Sequence, residues 1–242
     1  MKVLHVPVLY GSQTGNSESA AKNLAESLPN ELSTSAVKVT STVMELDDFL
    51  EKSRAPWTPL CVIVCSSYGV GQAPIGAWKF REMMDLILEK DDYKNAFKGV
   101  KYAMLGLGDS KYTTFFLNPT ALDSGMAKAG AERVGSLGKA DASGKGDKVQ
   151  LNVIEEWSKT IISDLKRVVK ELEDMSEDQY EQKNEEIEVA RKNTGDICKL
   201  IYEDWDKKEK PAFDTMQLLL AVLVVLIALY FNYKPKCCDH DH

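Results

Sequence analysis

The sequence predicts an α/β fold in which helices cover both faces of a doubly wound, five-stranded parallel sheet, in three layers. Strand-like and helix-like segments alternate along residues 1–170, and chains with this alternation form parallel sheets with right-handed crossovers. Two of the strand-like segments, PLCVIVCSS and VKYAMLGLG, are almost continuously apolar, which is typical of strands buried on both faces. Residues 1–170 are therefore predicted to form one domain.

The elements follow one another from the N-terminus. The strand VLHVPVLY leads to the helix SESAAKNLAESL, then come the alternating strand AVKVTSTVM and the buried strand PLCVIVCSS. The helix APIGAWKFREMMDLILEK precedes the strand VKYAMLGLG, and the helix TALDSGMAKAGAERV, ending at Gly130, precedes the short strand RVGSL. The last helix has apolar residues at spacings of three and four: Ile154, Trp157, Ile161, Leu165, Val168 and Leu172.

Residues 171–215 are predicted to form an acidic, partly helical spacer. From Glu171 to Glu188 the only basic residue is Lys183, and such a run is typical of a solvated helix or a disordered linker. An amphipathic patch follows, and the sequence leaves open whether it packs on the domain or lies on a membrane surface. Its residues are Ile197, Leu200, Ile201 and Trp205.

The segment from Met216 to Phe231 is apolar except for Gln217. At about 1.5 Å per residue it would span roughly 24 Å, against roughly 30 Å for a bilayer core. We expect a single transmembrane helix at 216–233 and a short tail at 234–242, although the alternative is a buried core helix. We therefore expect a tail-anchored protein whose domain lies in the cytosol. The expected membrane is that of the endoplasmic reticulum, and the alternative is the mitochondrial outer membrane.

Charge and cysteine content narrow the function classes. The net charge of −7 argues against nucleic-acid binding, which needs a basic surface. Cys61 and Cys65 are four residues apart in one strand, roughly 13 Å at about 3.3 Å per residue, which is too far for a disulfide. The tail has Cys237 and Cys238 next to each other, and adjacent cysteines do not suit a tetrahedral site. No metal site is predicted.

The loop after the first strand, Gly11 to Asn16, has the composition of an anion-binding loop. Ligands of open parallel sheets bind beyond the carboxyl ends of the strands, and here glycines, hydroxyls and a helix N-terminus meet. The loop has no lysine and does not match GxGxxG, so it is neither a Walker loop nor a dinucleotide fingerprint. It favours a mononucleotide such as a flavin phosphate, whereas a plain N-capping turn is the alternative.

Two further loops fall at the same edge of the predicted sheet. SSYGVGQAP follows the third strand and carries Tyr68, and LGLGDSKYTTFFLN follows the fourth and carries Tyr112. One loop aromatic is common, but two on adjacent strand ends beside a phosphate loop indicate a site for a planar aromatic ring.

The segments YGSQTGNSE, SSYGVGQAP and LGLGDSKYTTF resemble the three flavin-binding loops of the flavodoxin-like domain of diflavin reductases, the group of NADPH–cytochrome reductases and methionine synthase reductase. The match extends from Val3 to Lys170. The resemblance implies a flavodoxin-like fold with strand order 2-1-3-4-5, FMN as cofactor and no catalytic side chain. The cofactor-binding residues that it implies are Ser12, Gln13, Thr14, Gly15, Asn16, Ser66, Ser67, Tyr68, Gly69, Gly71, Leu107, Gly108, Asp109, Tyr112, Phe115 and Asp141.

The resemblance also implies a role for each loop. Residues 12–16 would hold the FMN phosphate, and Tyr68 and Tyr112 would flank the isoalloxazine ring. The backbone around Gly69 would meet the flavin N5 edge, and Asp141 would lie near the far side of the ring. Gly106, with Gly108, Asp109 and Phe115, would shape the third loop.

The chain departs from the family at acidic positions. Val70 and Gln72 stand where the family usually has acids, and GKADASGKGDK is less acidic than the corresponding loop. Those acids help to dock positively charged redox partners, so the resemblance does not extend to the usual partners.

The function expected from the sequence is a membrane-tethered FMN carrier that passes electrons from a separate FAD- and NADPH-dependent reductase to an unknown acceptor. The family's FAD- and NADPH-binding parts have no counterpart in these residues, so we expect no NADPH oxidation by the chain alone. Two alternatives remain, an NAD(P)H-dependent quinone reductase of the flavodoxin-like group and a noncatalytic adaptor.

Overall fold

The computed structural model describes residues 1–51 and 56–202 of the chain. One compact unit, Met1–Cys198, holds the sheet and the helices around it. The strands are β1 (Lys2–Gly11), β2 (Val37–Glu45), β3 (Leu60–Ser66), β4 (Lys101–Gly108), β5 (Glu132–Arg133) and β6 (Gly138–Asp141). The helices are α1 (Asn16–Leu32), α2 (Leu46–Glu51), α3 (Trp78–Glu89), α4 (Leu117–Lys128), α5 (Gln150–Asp174) and α6 (177–202).

The sheet is parallel throughout, and its order β2-β1-β3-β4-β5 confirms the predicted strand order. The fifth strand is split, because β5 and β6 pair with different parts of β4. The predicted strand RVGSL falls mostly on the interruption. There Gly135 has a φ of 68°, and a Cβ on it would lie 2.5 Å from the Asp164 carboxylate, so α5 packs where a continuous strand would place a side chain.

Both faces of the sheet are covered. Alternate residues of β3 and β4, such as Val62 and Leu105, pack with α1 and α5 in one apolar core. The opposite face lies under α3 and α4, where the buried Tyr102 donates a 2.8 Å hydrogen bond from its hydroxyl to Asp123 of α4. The six apolar residues predicted to form the inner face of α5 are all buried, as expected.

The predicted transmembrane helix is not supported, and the fold prediction is corrected on this point. Within residues 1–51 and 56–202, no helix combines the length and apolar character needed to cross a membrane. The long helix α5 is amphipathic, with one apolar face turned to the sheet and charged residues on the other. The segment 216–233, to which the prediction refers, lies outside the described residues, as does Trp205.

The acidic segment after α5 packs on the domain as far as the structure describes it. Lys2 donates from its ammonium group to the carbonyl oxygens of Leu172 and Met175, both at 2.8 Å, which caps the end of α5. Ser176 and Gln179 then exchange side-chain to backbone hydrogen bonds, a capping box that starts α6. One stripe of α6 is buried: Ile187, Ala190, Thr194, Ile197 and Cys198.

Helix α6 is held by the loop that leads into β3. The Trp57 indole N–H donates a 2.7 Å hydrogen bond to the Thr194 hydroxyl, and the Arg191 guanidinium donates at 2.8 Å to the Trp57 carbonyl. The indole ring also packs edge-on against Phe49 and lies 5.0 Å from the ring of Phe97. The acidic segment therefore leads into a helix whose buried face packs against the aromatic cluster of Trp57, Phe49 and Phe97.

Removing the Thr194 hydroxyl tests this packing. We expect Thr194→Val to lower the free energy of unfolding by about 1–3 kcal/mol, because the buried Trp57 N–H loses its acceptor. Urea denaturation followed by fluorescence measures the change. Thr160→Val is the matched control, since the Thr160 hydroxyl bonds a carbonyl four residues back in the same way but is exposed. Equal stability of the two variants would contradict a structural role for α6.

Candidate functional site

A cavity of about 380 Å³ opens at the carboxyl ends of β1, β3 and β4. It lies where the chain order of the strands reverses, between β1 and β3, the usual ligand position in this topology. Its size falls within the roughly 300–1,000 Å³ typical of small-molecule pockets. It is lined by Gln13, Thr14, Asn16, Ser17, Ser66, Ser67, Tyr68, Gly69, Leu107, Gly108, Asp109, Tyr112, Thr114, Phe115, Ala142 and Gln150.

The first loop turns directly into α1. Gly15 has a φ of 89° and a backbone N–H that donates a 3.0 Å hydrogen bond to the Ser12 hydroxyl, so Ser12 shapes the turn instead of lining the cavity. Ser17, in the first turn of α1, is 1% exposed. Its hydroxyl lacks a hydrogen-bond partner within the described part of the chain. A buried polar group without a partner is rare, and this one lies at the wall of the cavity in the first turn of α1, where backbone N–H groups have no acceptor within the helix itself.

The other side of the first loop is fixed by side-chain amides. The Gln13 carbonyl oxygen accepts a 3.3 Å hydrogen bond from the Ile75 backbone N–H. The Asn16 amide donates at 3.1 Å to Gln150, which in turn donates to the Ala140 carbonyl. Among the described residues that line the cavity, none is basic, so any anion bound here is held by neutral donors and the helix terminus.

The second loop is a tight turn. Tyr68 and Gln72 exchange two backbone hydrogen bonds of 3.0 and 2.8 Å. Gly69 and Gly71 have φ values of 53° and 90°, the left-handed region that favours glycine. A Cβ on Gly71 would also lie 2.8 Å from the Leu117 side chain. The turn leaves Tyr68 49% exposed, and the residue lines the cavity.

The third loop packs on the end of β4. A Cβ on Gly106 or Gly108 would collide with the rings of Phe116 or Phe115, which lie closer than 3 Å to those positions. Glycine at these positions therefore lets the loop fold back over its own strand. Tyr112 at the tip of the loop is 62% exposed and borders the same cavity as Tyr68.

Two carboxylates hold the third loop to the loop after β6. Asp141 accepts 2.9 Å hydrogen bonds from the Ser110 and Ser143 backbone N–H groups, and Asp109 accepts from the Ser143 hydroxyl. That hydroxyl lowers the pKa of the Asp109 carboxyl. Burial opposes ionisation of Asp141, but the hydrogen bonds outweigh it and the pKa of its carboxyl is also lowered. Both groups are therefore ionised at neutral pH.

Asn118 ties the second loop to the third. Its side chain is fully buried, and its amide donates a 2.8 Å hydrogen bond to the Ser66 carbonyl. Its backbone N–H donates at 3.0 Å to the Ser67 hydroxyl, and its side-chain carbonyl oxygen accepts from the Arg81 guanidinium. The sequence reasoning missed this residue because nothing local marks an asparagine in the first turn of α4 as a link to β3.

The structure brings twelve of the sixteen predicted residues to the cavity wall. The other four, Ser12, Gly15, Gly71 and Asp141, shape the loops behind it. The cofactor-binding roles of all sixteen residues stay predictions. Four residues of the wall were missed: Ser17, Thr114, Ala142 and Gln150. Ser17 could have been found as the next hydroxyl in the first loop, whereas Gln150 reaches the site from another helix.

Comparison with known proteins identifies the family. Residues 8–157 match the flavodoxin family model, so the chain belongs to the flavodoxin family. It is 34% identical to NADPH-dependent diflavin oxidoreductase 1 of Schizosaccharomyces pombe over 58% of this chain and 22% of that protein. It is 31% identical to methionine synthase reductase of Caenorhabditis elegans over 62% and 20%, respectively. The chain thus spans about a fifth of the length of these relatives.

A bifunctional cytochrome P450/NADPH–P450 reductase of Bacillus cereus is 34% identical over 66% of this chain and 14% of its own length. Among solved structures, a cysteine-to-serine variant of flavodoxin from Pseudomonas aeruginosa matches with a TM-score of 0.51. That match has 20% identity and covers 67% of this chain and 99% of the flavodoxin, which shows the fold. The chain is a flavodoxin-like FMN-binding electron-transfer domain related to the diflavin reductases.

Substituting Asp141 tests how the third loop is held. We expect Asp141→Ala to raise the exchange rates of the Ser110 and Ser143 amide protons about tenfold, because both lose their acceptor. Hydrogen exchange followed by NMR measures this.

The same loss is expected in the unaltered protein as the pH falls below about 4. The folded-state pKa of Asp141 is lowered, so its contribution is present above the unfolded pKa and is lost as the pH falls through the folded one. Asp147→Ala is the control, since Asp147 is exposed in the same loop. Unchanged exchange in Asp141→Ala would show that the loop is held by other contacts.

Proposed function

We propose that this chain carries electrons on bound FMN between a separate FAD-containing, NADPH-dependent reductase and a redox acceptor. The observation that carries the proposal is the arrangement of one cavity. A buried hydroxyl that has no partner among the described residues lies beside a helix N-terminus in one part of its wall, and two exposed tyrosines belong to another. In a ligand that joins a phosphate to a flat aromatic ring, the phosphate would accept from the hydroxyl and the ring would cover the tyrosines.

The phosphate of FMN would bind at the first loop. The Ser17 hydroxyl can donate to a phosphate oxygen, with the Thr14 hydroxyl and the Asn16 amide on the same wall. The first N–H groups of α1 and the positive end of its dipole add to the attraction. A Cβ at Gly15 would meet nothing within 4 Å, so the turn there leaves open space. Neutral donors suffice because a helix N-terminus is itself an anion site.

The isoalloxazine ring would bind between the second and third loops. Tyr68 and Tyr112 have large exposed surfaces, and covering them with a planar ring removes apolar surface from water. The Gly69 carbonyl is already engaged by the Thr114 hydroxyl at 3.3 Å, which holds the two loops together at this position. The site is thus shaped before the ring enters.

The bound FMN would supply the redox chemistry, because a flavin can take up and release electrons. This chain's contribution is to set how readily it does so. Asp109 lines the cavity, and its lowered pKa keeps it ionised at neutral pH. A fixed negative charge there disfavours the negative charge that reduction adds. Asp109 would therefore lower the reduction potential of the flavin.

The proposed electron donor rests on the relatives. Their names identify NADPH-dependent reductases, and this chain matches only a small part of each. Among the described residues that line the cavity, Tyr68 and Tyr112 would flank a single planar ring, and a nicotinamide would need a further ring-binding site. A separate reductase is therefore the proposed source of electrons.

The Ser17 hydroxyl distinguishes binding of FMN from binding of a ring alone. We expect Ser17→Ala to raise the Kd for FMN about tenfold, because a hydrogen bond to a charged group is lost. The Kd for riboflavin, which has no phosphate, should stay unchanged. Fluorescence quenching of each flavin measures both constants.

Ser27→Ala is the matched control, since Ser27 lies on the same helix and its hydroxyl bonds the Leu24 carbonyl. Purified protein that is colourless and binds no added FMN would refute the proposal. Equal weakening of FMN and riboflavin by Ser17→Ala would place the phosphate elsewhere.

The donor is tested by anaerobic reduction. With NADPH alone we expect the FMN absorbance to persist, and with NADPH plus a ferredoxin–NADP⁺ reductase we expect it to bleach. Bleaching by NADPH alone would instead favour a quinone reductase. Persistence under both conditions, in protein that dithionite does reduce, would favour an adaptor.

A further inference from the structure

The fully buried side chain of Asn118 has a hydrogen-bond partner for each of its polar atoms. Its amide nitrogen donates at 2.8 Å to the Ser66 carbonyl and at 3.2 Å to the Cys65 sulfur. Its side-chain oxygen accepts at 3.1 Å from the Arg81 guanidinium. Burial raises the pKa of the Cys65 thiol to about 12, so the sulfur stays neutral and accepts only weakly. The Ser66 carbonyl and the Arg81 guanidinium are therefore the two contacts that decide how the amide lies.

These two contacts allow the Asn118 amide only one orientation. If the amide were turned over, its NH2 group would face the Arg81 guanidinium, which can only donate. Its oxygen would then face the Ser66 carbonyl, which can only accept. The charge of Arg81 also polarises the amide, and this strengthens the hydrogen bond that the amide donates. The Ser66 carbonyl is therefore bonded by an amide whose direction Arg81 sets.

The peptide that joins Ser66 to Ser67 is fixed from both of its polar groups. Asn118 holds the Ser66 carbonyl, and the Ser67 N–H donates at 2.9 Å to the Leu107 carbonyl near the end of β4. The Ser67 hydroxyl accepts at 3.0 Å from the Asn118 backbone N–H. Both serines line the cavity immediately before Tyr68. The second loop therefore leaves β3 along a fixed path, and that path determines where Tyr68 lies.

Arg81 reaches Asn118 from α3 and is not among the residues that line the cavity. Its guanidinium also forms a 2.8 Å ion pair with Asp85, one turn further along the helix, and its side chain is 25% exposed. The ion pair restricts the guanidinium on one side while Asn118 binds it on the other. An influence of Arg81 on the position of the second loop therefore passes through Asn118.

We propose that Arg81 and Asn118 are positioning residues of the flavin site. Arg81 orients the Asn118 amide, and the amide fixes the peptide between Ser66 and Ser67. The peptide in turn sets the position of Tyr68 beside the ring. The identity of the ligand rests on the proposed function, whereas the effect on the peptide exists without a ligand. The pair raises the affinity by preorganisation, because the loop does not have to be ordered on binding.

Asn118→Asp separates this positioning from the volume of the side chain. The carboxylate has the same size and can pair with Arg81, but it cannot donate to the Ser66 carbonyl. We expect the Kd for riboflavin to rise about tenfold, as measured by fluorescence quenching in protein that urea denaturation shows to be folded. Asn193→Asp is the matched control, since the Asn193 amide donates to the Ala96 carbonyl away from the cavity. The control should leave the Kd unchanged.

Arg81→Met tests the member of the pair that lies further from the cavity. Asn118 keeps its N–H donor in this variant and loses the group that orients it. We expect the Kd for riboflavin to rise about threefold and the visible circular dichroism of the bound ring to change. Arg81→Lys keeps a charged donor and should restore both. Arg191→Met is the matched control, since Arg191 also bonds a backbone carbonyl and an acid of its own helix, and it should change neither.

A third measurement uses the flavin-free protein. Hydrogen exchange followed by NMR should show the Ser67 amide proton exchanging about tenfold faster in Asn118→Asp and about threefold faster in Arg81→Met. The amide protons of β1 should exchange at unchanged rates. Failure to bind flavin would refute the proposed function but leave this result standing. An unchanged Kd in Arg81→Met, a loss that Arg81→Lys does not restore, or an equal loss in Arg191→Met would overturn the proposal.

Discussion

The parallel pairing of β3 between β1 and β4 is the constraint on which the rest of the structure depends. Parallel strands end at the same edge, so the three loops that follow them meet without long excursions. Asn118 strengthens this arrangement because its buried amide bonds the end of β3 from the start of α4. A sheet with any of these strands reversed would separate the hydroxyls of the first loop from Tyr68 and Tyr112.

The site contains two features that lower the stability of the folded chain and that a bound ligand would offset. A buried hydroxyl without a partner costs about 1–3 kcal/mol, and the Ser17 hydroxyl at the cavity wall has no partner in the part of the chain that the structure describes. The exposed rings of Tyr68 and Tyr112 likewise forgo burial. A ligand with hydrogen-bond acceptor oxygens at one end and a flat apolar ring at the other would offset both costs. The same chain thus becomes more stable on binding, by mass action.

Local pattern was enough to predict the parallel α/β class and the buried face of α5, because the alternation of segments and the helical periodicity determine them, whereas the strand order was implied by the resemblance to the flavodoxin-like domain. It failed where a distant residue decides the outcome. The fifth strand breaks at Gly135 because α5 places Asp164 there, and Gln150 reaches the cavity from that same helix. The buried stripe of α6 was not predicted because the many acidic residues of the segment indicated a solvated helix or a linker, although Ile187, Ala190 and Thr194 are spaced by three and four. The apolar segment at 216–233 predicts a membrane span by hydropathy alone, and the helices that the structure describes do not include one.

The position of α6 bears on how the site can be approached. Its buried face contacts Trp57, and its Asn193 amide donates to the Ala96 carbonyl, in the segments that lead into β3 and β4. Those segments lie at the opposite edge of the sheet from the three loops. The part of α6 within the compact unit therefore closes the core at the edge of the sheet opposite the three loops.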